Sequence, residues 1–141
     1  MSTHKSLLGI LISLVLGALI LAAGSSSSIS LWNVPMFFLC GSLGFLLHWL
    51  VFIPSYLNST EHYFDLTGSI SYVLIALAAC YASPILHVRD LIICAMILIW
   101  ALRLGSFLFL RVKKAGQDRR FEVMKHNFLW FLTTWTLGGL W

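Results

Sequence analysis

Arg103 is a charged residue inside a long apolar run, and of all residues in the chain it most clearly requires a partner. In a helix it stands about 12 Å along the axis from Arg111, the first residue of a basic segment, because each residue rises about 1.5 Å. If the run crosses a membrane, an arginine at this depth costs at least about 2.5 kcal/mol unless it is paired, hydrated or able to snorkel. The sequence therefore predicts an anion beside Arg103. Snorkelling, or pairing with an acid for packing alone, is the alternative.

A helical face connects Arg103 to the basic segment. At about 100° per residue, a sector of about 80° contains Arg103, Phe107, Arg111 and Lys114. The segment that follows carries Lys113, Lys114, Gly116, Gln117, Asp118, Arg119 and Arg120. A guanidinium group can donate two hydrogen bonds to phosphate oxygens at once, so this set of residues suits a pyrophosphate or an adenosine phosphate. Anionic lipid headgroups would also suit it, and composition alone favours the lipid.

An acidic segment supplies the candidate counter-charges. It contains Glu61, His62, Tyr63 and Asp65, and leads into the third apolar run. If it is already helical, Asp65, Ser69 and Tyr72 share one face, with a carboxylate at the membrane surface and two hydroxyls below it. Acid and base would then face each other across one leaflet. Helix capping by Asp65 or Ser69, with a solvated Glu61, explains the same residue types.

The composition identifies the elements that must position these side chains. Of 141 residues, 60% are hydrophobic and 10% are charged, whereas soluble domains carry about 25% charged residues. The chain is therefore expected to be a membrane protein, and its 14% aromatic content excludes a disordered one. The net charge of +4 is concentrated in one interhelical segment, which indicates topology or phosphate binding, and we expect no nucleic-acid partner.

Apolar runs near the length of about 20 residues that a spanning helix needs predict an all-α, polytopic transmembrane helix bundle. The five predicted helices cover residues 7–23, 31–57, 69–86, 91–110 and 127–141, in one domain spanning 1–141. Pro54 should end the second helix near Ile53. A signal peptide is the alternative interpretation of the first run, but its length favours a retained helix. His48, within the second helix, is interpreted as a hydrogen-bonded packing residue.

The basic residues predict the orientation. Positive charge places residues 111–126 in the cytoplasm, and counting helices back places residues 58–68 and the N-terminus with Lys5 on the same side. The expected location is the cell inner membrane, as a multi-pass protein in contact with the lipid bilayer. No glycine pattern of a soluble nucleotide-binding domain, no Cys or His metal constellation and no Ser-His-Asp arrangement can be assembled, so no metal is predicted.

Three segments in order resemble the bacterial membrane proteins related to the steroid 5-alpha-reductase C-terminal domain. They are HYFDLTGS at 62–69, RLGSFLFLR at 103–111 and KKAGQDRRFE at 113–122. The resemblance implies a multi-helix bundle that reduces a carbon–carbon double bond beside a carbonyl, with NADPH in a cytoplasm-facing cavity. It sets Asp65 in the acidic family motif and Arg103, Asp118, Arg119 and Arg120 in the arginine-rich one; Arg111 and Lys114 are candidates for the same cofactor site.

The leading hypothesis is thus a reductase-like protein acting on a hydrophobic, lipid-like or sterol-like substrate, with Glu61, Tyr63 and Tyr72 as candidate catalytic proton donors. The family continues to a second basic motif with Tyr, Arg, His, Pro and Asn that is missing here. We therefore expect a truncated product or one half of a split protein, completed by a second polypeptide or a homo-oligomer. The alternatives are a non-catalytic membrane assembly or lipid-binding subunit and, more weakly, a membrane methyltransferase relative that uses S-adenosylmethionine.

Overall fold

A computed structural model describes residues 3–116 and 118–141, and these are almost entirely helical. The helices are α1 (Thr3–Ser25), α2 (Met36–Leu57), α3 (Phe64–Ala82), α4 (Val88–Ala115) and α5 (Phe128–Leu140). A two-residue hairpin, β1 (Ser30–Leu31) and β2 (Val34–Pro35), connects α1 to α2. Two short 3-10 turns, Arg119–Phe121 and Met124–His126, lie between α4 and α5. The prediction of an all-α polytopic bundle is confirmed.

Four of the five helices are long and apolar enough to cross a membrane. They are α1, α2, α3 and α4, with 23, 22, 19 and 28 residues. The 13 residues of α5 rise only about 20 Å, less than the roughly 30 Å of a hydrocarbon core. The structure therefore contains four candidate membrane spans and one shorter apolar helix, as expected of a multi-pass membrane protein.

The predicted second helix, 31–57, differs from the structure at both ends. Its first residues form the hairpin, because Trp32 and Asn33 have φ angles of 53° and 63°, the left-handed conformation of a tight two-residue turn. Pro54 does not end the helix near Ile53, since α2 continues to Leu57. Pro54 has no N–H to donate, but the residues after it remain helical. The Pro54 carbonyl still accepts the backbone N–H of Asn58 at 3.1 Å.

Two other boundaries shift toward the charged segments. α3 begins at Phe64 and not at 69, which puts Asp65 in its first turn, where the partial positive charge of the helix N-terminus favours a carboxylate. α4 extends to Ala115, so Arg111 and Lys114 are helical residues and not part of a loop. The predicted cytoplasmic loops 58–68 and 111–126 are thereby shortened to 58–63 and 116–127.

α5 packs against both α1 and α2. α3 packs beside α2, and α4 makes its extensive helix contacts with α3. α1 and α5 run in the same direction: the Thr133 hydroxyl donates to the Ser6 carbonyl at 3.1 Å, and Leu140 approaches Gly17. Both helices therefore start at the end of the bundle that holds residues 58–63 and 116–127. We call this the basic end, and its composition agrees with the predicted clustering of these segments on one side.

An aromatic cluster forms the core below the basic end. Its buried members are Phe52, Phe121, Phe131 and Trp135. Phe64 at the start of α3 packs against it, with ring centroids 5.1 Å from both Phe121 and Trp135. Because Phe121 is only 3% exposed, the segment between α4 and α5 is anchored in the core rather than left on the surface.

Gly105 provides a test of the α3–α4 contact. A Cβ atom there would lie 2.6 Å from the Cβ of Ser69, so Gly105→Ala must push the two helices apart. Overpacking of this kind costs about 1–3 kcal/mol, and we expect a lower midpoint of thermal unfolding in detergent micelles. The matched control is Gly68→Ala, whose Cβ meets nothing within 4 Å. Equal midpoints for the two variants would contradict the described packing.

Candidate functional site

A left-handed glycine turns the chain back over the bundle at the end of α4. Gly116 has a φ of 81°, and its N–H donates to the Val112 carbonyl at 2.9 Å, the usual way of ending a helix. Downstream, the Asp118 carboxylate accepts the backbone N–H of Arg120 at 3.0 Å and so caps the first 3-10 turn. Phe121 then inserts into the aromatic cluster, which fixes the neighbouring Arg120 at the basic end.

A buried carboxylate ties the two segments of the basic end together. The Glu61 side chain is fully buried and accepts hydrogen bonds from the Asp118 backbone N–H at 2.8 Å and from the Lys125 ammonium at 3.0 Å. The Lys125 side chain is itself only 14% exposed. A buried carboxylate needs such partners to remain charged. Glu61 therefore has the surroundings of a residue that positions the loop.

Two aspartates and two arginines form a second group, which we call the charge cluster: Asp65, Arg111, Asp118 and Arg120. The Arg120 Nε donates to both Asp118 carboxylate oxygens at 3.0 Å, and its Nη2 reaches Asp65 at 3.4 Å. The Arg111 guanidinium lies 3.9 Å from Asp65 and 3.8 Å from Asp118. Each arginine thus bridges the same two carboxylates, which join the start of α3 to the end of α4 and the following turn.

Two carboxylates of the basic end, those of Asp118 and Glu61, are held in their charged form. Hydrogen bonds from Arg120 lower the pKa of Asp118 below its ordinary value, and the same contact raises the pKa of Arg120. Burial by itself would raise the pKa of Glu61, but the hydrogen bonds from Asp118 and Lys125 outweigh it and leave that pKa lowered. These groups act as fixed charges near neutral pH.

An apolar cavity of about 470 Å³ lies beside the charge cluster, and all five helices contribute to its wall. Its polar lining residues are His48, Asp65, Ser69, Ser71 and Tyr72. Asp65 belongs to both the cavity wall and the charge cluster. The cavity therefore adjoins the charge cluster at Asp65. Most of the rest of its wall consists of aromatic, aliphatic and glycine residues.

Two polar groups in this wall have defined hydrogen-bond partners. The Tyr72 hydroxyl donates to the main-chain oxygen of Trp141 at 3.0 Å. The Nδ1 of His48 lies 2.8 Å from the Gly44 carbonyl, which only accepts, so Nδ1 carries the proton and a neutral ring leaves Nε2 as an acceptor. Sequence reasoning treats His48 as a packing residue. Its presence in a cavity wall depends on the approach of α5 to α2, which no local pattern reveals.

The structure brings together most of the predicted site residues. Asp65, Arg111, Asp118 and Arg120 meet in the charge cluster, and Tyr72 lines the cavity. Tyr63 is half-exposed and stacks on Phe109, with ring centroids 6.4 Å apart, outside the cavity wall. The side chains of Lys114 and Arg119 are exposed and make no ion pair with any residue of 3–116 or 118–141. The assigned roles of all these residues stay predictions.

Arg103 is not brought to the charge cluster. Its side chain is exposed, makes no ion pair or hydrogen bond within residues 3–116 and 118–141, and is absent from the cavity wall. The proposed partners are occupied elsewhere, since Asp65 contacts Arg111 and Arg120 and Glu61 contacts Lys125. The predicted face from Arg103 to Lys114 exists on α4, but at Arg103 it points away from the bundle.

A family model described as "Protein of unknown function (DUF1295)" matches residues 51–141. Because the match covers more than half of the chain, the protein belongs to this family of membrane proteins related to steroid 5-alpha-reductase. The matched part contains α3, α4, α5 and both segments of the basic end. Comparisons with curated proteins and with solved structures find no match.

Removing the partner of the buried carboxylate should destabilise the fold. Lys125→Met leaves Glu61 charged and unpaired, which costs about 3–5 kcal/mol in buried pairs, so we expect a much lower unfolding midpoint at neutral pH. Lys114→Met, which removes an exposed lysine without an ion partner among the described residues, is the control. A similar loss in both variants would show that the Glu61–Lys125 pair does not hold the segments together.

Acid should weaken the basic end. The folded pKa values of Glu61 and Asp118 lie below their ordinary values, so their stabilisation is complete above the unfolded carboxyl pKa of about 4 and is lost as pH falls through the folded values. We expect the unfolding midpoint to fall as pH is lowered below about 5. The decline should flatten in Glu61→Gln and persist in Glu122→Gln, which changes an exposed glutamate. An identical decline in both variants would contradict this assignment.

Proposed function

We propose that this protein is a membrane reductase of the steroid 5-alpha-reductase type. In this proposal the basic end faces the cytoplasm, binds the phosphates of NADPH, and delivers the nicotinamide toward an apolar substrate in the cavity. The observation that carries the proposal is the double position of Asp65, which joins the charge cluster to the cavity wall. A charged surface that adjoins an apolar cavity is the arrangement needed to combine a phosphorylated cofactor with a hydrophobic substrate.

The residues at the basic end fit the phosphate part of such a cofactor. Lys113, Lys114 and Arg119 are exposed, and their side chains have no ion partner within residues 3–116 and 118–141. They are therefore free to bind phosphate oxygens, which favour guanidinium and ammonium donors. Arg111 and Arg120 are held in place by the two aspartates and present their remaining donors from fixed positions. When bound, NADPH supplies the hydride.

The cavity fits an apolar substrate with one carbonyl. Its volume of about 470 Å³ lies within the range of small-molecule sites, about 300–1,000 Å³. In this proposal the Tyr72 hydroxyl, which donates to the main-chain oxygen of Trp141, would instead donate to the substrate carbonyl and stabilise negative charge that develops on it. Glu61 has a positioning role in this proposal, because its carboxylate is enclosed by Lys125 and Asp118.

A lipid-binding subunit is the second candidate function. The exposed cations Lys113, Lys114 and Arg119 fit anionic headgroups as well as cofactor phosphates, at about 1 kcal/mol per charge near a membrane surface. They extend from the end of α4, where a helix longer than the membrane leaves the bilayer. S-adenosylmethionine carries no phosphate, so this cationic surface gives no support to a methyltransferase.

Cofactor titration separates these functions. We expect NADPH to raise the unfolding midpoint of the protein in neutral lipid nanodiscs more than NADH does, because a ligand stabilises the state it binds. Replacing Lys113, Lys114 and Arg119 together by Gln should weaken NADPH binding about tenfold or more, since two or three charge-assisted contacts are lost. Arg89→Gln, at the opposite end of α4, is the matched control.

Two outcomes would contradict the reductase proposal. One is the absence of any midpoint shift with NADPH. The other is a shift of equal size in the triple variant and in the unchanged protein. If the triple variant instead loses only its attachment to vesicles that contain anionic lipid, the lipid-binding function replaces the reductase.

A further inference from the structure

Arg103 lies on the side of α4 that faces away from its neighbouring helix. α4 buries Ala101, Gly105 and Val112, and Gly105 lies directly against Ser69 of α3. At 100° per residue, Arg103 is about 160–200° around the helix from Ala101 and Gly105. The guanidinium is therefore presented to whatever surrounds the bundle.

The depth of Arg103 makes this exposure unusual. α4 has 28 residues, from Val88 to Ala115, and Arg103 stands near its middle, far from both ends of the span. The residues above and below it on the same side are apolar: Met96, Ile99, Phe107 and Leu110 are each more than 60% exposed. An exposed apolar stripe with one charge at its centre differs from an ordinary lipid-facing helix, in which no charge is present at mid-depth.

Among the described residues, no acidic side chain lies at that depth. Its five acidic residues are Glu61, Asp65, Asp90, Asp118 and Glu122. Each lies in the first turn of a helix or in a segment between helices. A second copy of the chain, in either orientation, would therefore also bring no acidic side chain to the middle of α4. The side chains of residues 3–116 and 118–141 therefore do not supply the counter-charge.

We propose that the exposed stripe of α4, defined by Met96, Ile99, Arg103, Phe107 and Leu110, is an interface for a transmembrane helix that carries an Asp or Glu near the middle of the bilayer. The apolar residues of the stripe pack against that helix, and Arg103 forms an ion pair with its carboxylate. Charged residues within membranes pair with one another in this way because the surrounding lipid cannot solvate them. The interface is independent of cofactor binding at the basic end.

Synthetic helices test this interface without any change to the protein. The chain, labelled with a donor dye at its N-terminus, is placed in vesicles of zwitterionic phospholipid. It is then titrated with an acceptor-labelled Leu/Ala transmembrane peptide that has either Asp or Leu at its centre. We expect the Asp peptide to reach half-maximal energy transfer at an about three- to tenfold lower peptide-to-lipid ratio, the range expected of polar contacts between membrane helices.

Variants then assign the preference to Arg103. In Arg103→Leu the Asp and Leu peptides should bind alike, while Arg103→Lys should retain part of the difference. Arg89→Leu removes an exposed arginine at the start of α4 and should retain all of it. Energy transfer of the variants with the Leu peptide reports whether each is inserted in the vesicles.

Three results would overturn the proposal. Equal binding of the two peptides to the unchanged protein would mean that lipid phosphate or water satisfies Arg103. A preference for the Asp peptide that persists in Arg103→Leu would mean that another cation of the protein pairs with the peptide carboxylate. Energy transfer between differently labelled copies that needs Arg103 and excludes the peptide would make a second copy the occupant.

Discussion

The buried carboxylate of Glu61 is the interaction on which the charged end of the bundle depends. It lies between the loop before α3 and the segment after α4, and it receives one hydrogen bond from the Asp118 backbone and one from Lys125. A carboxylate without water requires both donors, so the two segments are held in one relative position. The placement of Asp118, and through it Arg120, follows from this requirement.

Fixed charges and an apolar cavity are thereby brought to the same place. Asp65 is held at the start of α3 and contacts both arginines of the charge cluster, while it also lines the cavity. Phe121 anchors the intervening segment in the aromatic cluster from below. The arginines are already paired, whereas the side chains of Lys113, Lys114 and Arg119 next to them have no ion partner within residues 3–116 and 118–141.

α4 has two sides with different surroundings. One side contacts α3 so closely that Gly105 is needed opposite Ser69. The other side carries Arg103 at mid-depth without a partner among the described residues. Side chains about 180° apart on this one helix therefore meet different surroundings.

The sequence by itself determined the class of fold, because long apolar runs in a chain with few charges can satisfy their backbone only as membrane helices. It also determined that the acidic and basic segments share one end, since helix counting fixes sides. Only the tertiary structure decided which acid pairs with which base: Asp65 with Arg111 and Arg120, and not with Arg103. It alone placed His48 in a cavity wall. Pairing depends on the rotation of each helix about its axis and on the turn at Gly116, and both are set by contacts between residues far apart in the chain.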